Sequence, residues 1–403
     1  MTSPSRDLPN PLASYRICAR CIMDTSDPEI VFDEQGVCNH CRTYDEVMAL
    51  YVVKGAAGEA ELQTIAAKIR GEGTGKRYDC IIGLSGGADS TYVAYLAKRK
   101  LGLRPLAVHL DNGWNSEIAV RNIENIVQRL EIDLYTEVLD WEEFRSLQRA
   151  FLRASTPDCE IPTDHAIAGT LYRVAIRQGV RFIVHGSNFA TEQMVPRTWS
   201  YGHFDWRYIK AVNARFGERP LRKFPHCSLF DLRVRYPLIH RIRQIFPLNY
   251  LDYDKSRARE IVEREAGWKD YGGKHHESIY TRFYQTWLLP QKFGIDKRRS
   301  HLSCLVNYGK LDRAAALAEI CMPAVDAVQL EIDRRFVMKK LGLSEADFDA
   351  LMKAPLRSFW DYPSYEESPP LWDRLLNRAI AMVLSGNPLL RPVRSIGRFM
   401  MRG

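Results

Sequence analysis

Ile81-Ile82-Gly83-Leu84-Ser85-Gly86-Gly87-Ala88-Asp89-Ser90 is the stretch on which the fold turns. An apolar run of strand type enters a turn of small residues, and a helical pattern follows over residues 91–100. Strand, loop and helix start together make an anion cradle: consecutive backbone N–H groups face the ligand and the helix dipole adds positive potential. Gly86 and Gly87 let the backbone approach a phosphate with no Cβ in the way. Ser85 and Ser90 add hydroxyl donors. The spacing is not G-x-x-x-x-G-K-[ST], which disfavours γ-phosphoryl transfer of the P-loop kind. Ser85, Gly86, Gly87, Asp89 and Ser90 are therefore candidate nucleotide contacts.

Working outward, the pattern alternates. Strands are expected over residues 78–84, 105–110, 133–138 and 181–185, and helices over 91–100, 117–129, 141–154 and 165–178. A further helix over 61–70 precedes them, joined by a flexible Gly-rich connector at 71–76. Such alternation implies an α/β doubly wound parallel sheet with helices on both faces. Ligands in these sheets sit beyond the C-terminal strand ends, and the polar clusters fall there. Asp111, after the second strand, either meets adenosine or forms an Asx turn or helix cap. Gly186 with Glu192 is placed for an α-phosphate and a magnesium ion, and Asp89 and Glu192 are the natural carboxylate pair for Mg²⁺. Asp164 either caps the helix that follows it or faces the reacting centre.

Nine cysteines is an odd number with four of them clustered, which argues against a disulfide framework. Cys18, Cys21, Cys38 and Cys41 form C-x2-C-x16-C-x2-C, the spacing of a ribbon that holds one tetrahedral zinc ion. Four protein ligands make a closed structural site, with His40 an unneeded fifth candidate. The chain of 403 residues suits two or three domains. We expect a zinc-ribbon module over 1–60, an α/β domain over 61–250 and a mainly helical region over 251–403. A net charge of +8 suits an anionic ligand without choosing which. No apolar stretch is long enough to span a bilayer and the start has no signal layout, so the expected location is cytoplasmic.

The distal half carries denser clusters. Residues 199–236 interleave aromatics with Arg207, Lys210, Arg215, Arg222 and Lys223, which serve either to stack bases or to coat a solvated helix. Tyr271-Gly272-Gly273-Lys274-His275-His276-Glu277-Ser278 offers Lys274 to neutralise departing pyrophosphate and His275 or Glu277 to handle protons. Lys297 and Arg298 are further candidates for charge neutralisation. Residues 311–352 read as a helical packing domain with Leu317, Ile320, Val328, Ile332 and Phe336 at near-helical spacing. The basic tail over 378–403 reads as a loose terminus or an amphipathic arm.

S-G-G-A-D-S resembles the pyrophosphate loop of the N-type ATP pyrophosphatases, which cleave ATP to AMP and pyrophosphate. Taken with the cysteine ribbon, P-T-D-H-A, G-S-N-F-A-T-E, G-G-K-H-H-E-S and K-F-G-I-D-K-R-R-S-H-L-S, the chain resembles the N-acetyl sugar amidotransferases of the WbpG type. The resemblance runs from about Cys18 to Pro363. It implies a PP-loop fold and a reaction in which ATP adenylates the amide oxygen of a nucleotide-linked acetamido sugar. Ammonia then displaces AMP to leave an acetamidino group, in surface-glycan biosynthesis. ATP, Mg²⁺ and structural Zn²⁺ are the implied cofactors.

Thr2 rather than cysteine follows the initiator, and no cysteine sits in a G-x-C-x-G elbow, so no built-in glutaminase is expected. Ammonia is expected from a separate HisH-like glutaminase, with or without a HisF-like channel subunit, and no nucleic-acid partner is expected. The rival reading is a tRNA thiolase of the same superfamily, in which Cys159 and Cys227 would carry sulfur. A non-catalytic zinc-ribbon protein that senses ATP is the third.

Overall fold

The computed structural model describes residues 15–192, 194–273 and 276–385. Lys274 and His275, and the basic tail beyond residue 385, lie outside the described residues. Five parallel strands form one sheet: β1 (Cys80–Gly83), β2 (Pro105–Asp111), β3 (Asp133–Val138), β4 (Phe182–Val184) and β5 (Arg243–Ile245). Their spatial order is β3-β2-β1-β4-β5. The chain therefore winds outward from β1 in one direction and then in the other, and the switch point lies between β1 and β4.

Side chains alternate across this sheet because successive strand residues point to opposite faces. Cys80, Ile82, Ala107, Phe182 and Val184 join Leu62, Val93 and Ile126 on one face. Ile81, Leu106, Val108 and Ile183 join Leu171 and Val174 on the other. Both faces are covered by helices, which is why the strands read as near-continuous apolar runs. The helix after β1 begins at Ala88 and widens into a π-helical end over Leu96–Lys100.

A third and larger core lies outside the sheet. Trp114, Phe144, Phe151, Tyr208, Phe283 and Tyr284 are buried in it together with the four ribbon cysteines. Trp206 and Tyr208, from the aromatic and basic segment, are core residues here, and Lys223 pairs with Asp140 at 2.8 Å. This segment is thus a packed helix (Trp206–Phe216) with a charged face, not a base-stacking platform.

The helices Arg313–Cys321, Ala327–Leu341 and Glu345–Lys353 confirm a helical distal region, with one correction. Val328, Ile332 and Phe336 are 72%, 55% and 40% exposed, so this stripe is not the packing face. The second helix instead buries Asp333, Val337, Met338 and Leu341. Asp333 chooses the face: it takes Arg282 Nε and Nη2 at 2.6 and 2.7 Å in a fork-to-carboxylate pair.

Candidate active site

The loop after β1 is shaped by one strained glycine. Gly86 has φ +81°, and a Cβ there would lie 2.7 Å from the carbonyl oxygen of Ala119. Its own carbonyl accepts Trp268 Nε1 at 2.9 Å and Asn122 Nδ2 at 3.4 Å. Gly87 N donates to Ser85 Oγ at 3.2 Å, and the Ser85 and Ser90 hydroxyls meet at 3.2 Å. The helix Ala88–Tyr95 starts with no side-chain cap, which leaves its first N–H groups for a ligand. Gly186, just beyond β4, would place a Cβ 2.9 Å from the Ser90 backbone, so the turn after β4 meets the first turn of the helix Ala88–Tyr95 only because that residue is glycine.

Asp89 stands on the first turn of that helix. It accepts the Tyr253 hydroxyl through Oδ1, and Lys255 Nζ lies 3.7 Å from Oδ2. The Tyr253 phenol is raised by burial first, then by Asp89 and by Glu192, so the two carboxylates flank one hydroxyl. Glu192 accepts the backbone N–H of Asn188 at 3.3 Å. Both carboxylates act on the Tyr253 hydroxyl, and carboxylate oxygens are the kind of donor Mg²⁺ takes beside phosphate.

Glu277 arrives at the same loop from far along the chain. A Cβ on Gly87 would lie 3.2 Å from the Tyr271 hydroxyl and 3.6 Å from Glu277 Oε1. The Tyr271 hydroxyl donates to Glu277, and its pKa is raised by burial and by that carboxylate. Backbone pairing fixes this arm, since Ser116 N donates to Glu277 O at 2.8 Å and Ile279 N to Trp114 O at 2.9 Å. Asp111 forms the Asx turn, with Gly113 N on its Oδ1 at 2.8 Å.

A second charged group gathers before the helix Ile161–Arg177. Asp158 accepts the Ser200 hydroxyl, and Glu160 takes Gln285 Nε2 at 2.7 Å and Lys297 Nζ at 3.3 Å. Asp164 does not cap this helix; it stands on its first turn and opens to the cleft. Its carboxyl is raised by desolvation within the cleft first and then by Glu160 and Asp158. Burial opposes the charge on Lys297, but Asp158, Glu160 and Asp164 outweigh it and hold its pKa up.

The sequence reading sends Lys297 and Arg298 to departing pyrophosphate, and the structure commits both elsewhere. Lys297 serves the carboxylates. Arg298 pairs with Asp296 at 2.7 Å and donates to the carbonyls of Met322 and Ile320 at 2.8 and 3.1 Å, closing the end of a neighbouring helix. Lys255 and Tyr253 are the groups sequence reasoning missed. They follow β5, whose three residues carry little strand signal.

The ribbon sulfurs lie 3.7 Å apart for Cys21 and Cys38, 3.7 Å for Cys38 and Cys41, and 3.9 Å for Cys18 and Cys41. A tetrahedron with metal–sulfur bonds of about 2.3 Å has edges of about 3.8 Å, so the four fit one zinc ion. The N–H groups of Arg20, Met23 and Cys38 point at these sulfurs, as thiolates require. His40 is not a ligand; its Nε2 meets Asp27 at 2.7 Å. Arg313 donates to the carbonyls of Cys18 and Cys21, and Arg299 to that of Ile22, fastening the ribbon to the distal helices.

Some of these residues border one cleft of 1140 Å³, whose lining does not include residues 85–90 or Glu277. Tyr253, Lys255 and Glu192 line one side, Asp158, Asp164 and Lys297 another, and Asp27, Asn39 and His40 of the ribbon a third. Cys159 and Cys227, by contrast, sit in different cores, and burial pushes each thiol up to about 12. Neither is a sulfur carrier in this arrangement, because the thiolate is the reactive form.

Residues 277–378 match the family described as LPS biosynthesis protein WbpG-like, C-terminal domain, and residues 61–203 match NAD synthase. The uncharacterized protein MJ1599 of Methanocaldococcus jannaschii is 24% identical over 330 residues, spanning 80% of this chain and 99% of that protein. Among solved structures, NMN synthetase from Francisella tularensis aligns with 16% identity and a TM-score of 0.35, over 71% of this chain and 96% of that one. The NH3-dependent NAD synthetase of Campylobacter jejuni aligns with 14% identity and a TM-score of 0.29, over 74% and 98%.

Proposed function

Starting from a chain that joins an NAD synthase-like PP-loop domain to a WbpG-like C-terminal domain, we propose an ATP-dependent, AMP-forming C–N ligase acting on an acetamido sugar. The substrate is a nucleotide-linked sugar whose acetamido group becomes acetamidino, and the nitrogen comes as ammonia from a partner glutaminase. The setting is surface-glycan biosynthesis in the cytoplasm. One observation carries this reading: the WbpG-like segment supplies Glu277 to the phosphate loop and Gln285 and Lys297 to the cleft beside it. A cleft of 1140 Å³ also exceeds the usual space for one small ligand, as two substrates require.

The chain's own groups divide the work. The Gly86–Asp89 backbone and the hydroxyls of Ser85 and Ser90 hold the β- and γ-phosphates, leaving the α-phosphorus open to the amide oxygen. Lys255, beside Asp89, neutralises charge on the leaving pyrophosphate, and Lys274 is proposed as its companion. Bound by Asp89 and Glu192, Mg²⁺ supplies further charge neutralisation at the phosphates. The cysteine ribbon holds Zn²⁺ as a structural ion, and its outer residues form one wall.

The test is pyrophosphate release from ATP and ammonium chloride with a panel of UDP-linked acetamido sugars and, separately, total tRNA. The expected result is release that depends on one sugar, with product mass lower by about one unit because O is replaced by NH. Release that depends only on tRNA overturns the reading.

A further inference from the structure

The segment Asp231–Ile239, which leads into edge strand β5, has the helix Leu371–Ser385 packed beside it. The Phe230 and Trp372 rings meet edge to face at 5.8 Å, and Arg233 pairs with the buried Asp373 at 3.5 Å. These contacts turn Trp372 and Asp373 inward. They leave Leu371 and Leu375, one turn apart and so on one face, 69% and 54% exposed. Phe230, Leu238 and Ile239, at the two ends of the neighbouring segment, are exposed as well. A helix that served only this fold would present polar residues where this one presents leucines. Apolar side chains gathered on two adjoining elements mark a contact surface, whereas single ones scattered over a protein need no explanation.

Charge indicates what covers this surface. Arg374 and Arg378 are exposed and one turn apart, next to the two leucines, and Arg241 is exposed just beyond the other segment. The acids on the two elements are already matched: Asp373 has Arg233, and Asp231 takes Arg235 at 3.3 Å. Over residues 374–403 the sequence holds Arg374, Arg378, Arg391, Arg394, Arg398 and Arg402, and no aspartate or glutamate. A second copy of the chain would bring the same positive charge against this face and be repelled. An anionic bilayer fits it: leucines enter the headgroup boundary, and guanidinium groups meet the lipid phosphates. No helix among the described residues is long and apolar enough to cross a membrane, so the contact is with the surface alone.

We propose that the face of Phe230, Leu238, Ile239, Leu371 and Leu375, with the arginines around it, docks on an anionic lipid surface. This attachment does not depend on the reaction proposed above. None of the five apolar residues lines the cleft, so docking leaves the cleft open to its ligands.

The experiment mixes the full zinc-loaded chain with vesicles of phosphatidylcholine alone, or of phosphatidylcholine with phosphatidylglycerol, and reads bound protein by flotation. Binding is expected to the mixed vesicles only, and it should weaken as added salt screens the arginines. Leu371→Ser with Leu375→Ser should weaken it about tenfold for each leucine kept out of the headgroup boundary, and Leu238→Ser with Ile239→Ser likewise. Arg374→Gln with Arg378→Gln should weaken it about fivefold for each arginine. All of these side chains are exposed, so wild-type melting temperatures are expected throughout. A wild-type chain that ignores the mixed vesicles overturns the proposal, whether or not it turns over ATP. Full binding by the Leu371→Ser, Leu375→Ser variant also overturns it, because the arginines alone would then account for the attachment. A chain that ignores vesicles but pairs with itself in sedimentation, and loses that pairing in the same variant, overturns it in favour of a second copy.

Discussion

Gly86→Ala isolates what the phosphate loop needs from its backbone. At φ +81° an alanine costs about 1–2 kcal/mol, because its Cβ crowds the adjacent carbonyl. Its Cβ would also lie 2.7 Å from Ala119 O, closer than the 3.0 Å that real Cβ atoms respect. The loop must therefore move, and movement drags the Gly86 carbonyl from Trp268 Nε1, now at 2.9 Å, and from Asn122. Loosening these bonds adds about 0.5–1.5 kcal/mol each. The sum is roughly 2–5 kcal/mol, or about 4–20 °C in melting temperature for a domain of some 200 residues. Catalysis should suffer more than stability implies, since misplacing a phosphate site by less than 1 Å costs up to about a hundredfold. Calorimetry and pyrophosphate release measure the two effects. Gly71 is the control: it lies in the helix Gly55–Glu72 with nothing within 4 Å of a Cβ, so Gly71→Ala should be neutral or stabilising by about 0.5–1 kcal/mol. Wild-type melting and turnover in Gly86→Ala would refute the reasoning.

Asp333→Asn should destabilise by about 3–5 kcal/mol in denaturant titration by leaving the largely buried Arg282 unpaired, whereas Asp333→Leu with Arg282→Met should recover most of the loss. Asp164 holds its proton more tightly folded than unfolded, so its contribution is fully present below about pH 4 and lost as pH rises to about 8. Asp164→Asn should therefore gain stability relative to wild type across that window, seen in melting temperatures from pH 4 to 9, and a flat difference would count against the raised carboxyl. Stripping zinc with a chelator should expose the segment over residues 15–51 to limited proteolysis and abolish turnover, with both restored by zinc, since structural zinc contributes on the order of 10 kcal/mol in such modules.

The readable parts of this molecule are those whose cause is local. The helix Trp141–Ala154 and strand β3 fall where the sequence pattern places them, because each carries its own period and its own start signal. Asp140 caps that helix through the N–H of Glu143. The ribbon is legible because metal geometry restricts cysteine spacing to a few values. Strand β5 escapes notice: Arg243-Gln244-Ile245 is three residues of an edge strand with no apolar alternation, formed only because β4 offers a partner. The face of the helix Ala327–Leu341 is misread for a related reason, since a buried ion pair to Arg282 overrides the apolar stripe. Likewise Tyr253 and Lys255 reach Asp89 across more than 160 residues, a distance over which no pattern in sequence speaks.

That long reach bears on what the ribbon is for. A zinc module that only folded itself would need no contact with the distal helices. Here Arg299 reaches Asp24 at 3.1 Å and the carbonyl of Ile22, Ser303 accepts Ile22 N at 3.2 Å, and Asn307 donates to Cys41 Sγ at 3.4 Å. All three belong to the helix Lys297–Tyr308, whose first residue is the lysine that balances the carboxylates. One helix thus sets the ribbon with its middle and end and the charged pocket with its start. Asp27, held by His40 and by the Thr198 hydroxyl at 2.7 Å each, fixes the ribbon's inner edge against the same cleft. A metal ion held by the four cysteines would thus steady this brace and, through it, the shape of the cleft, from a position outside the chemistry.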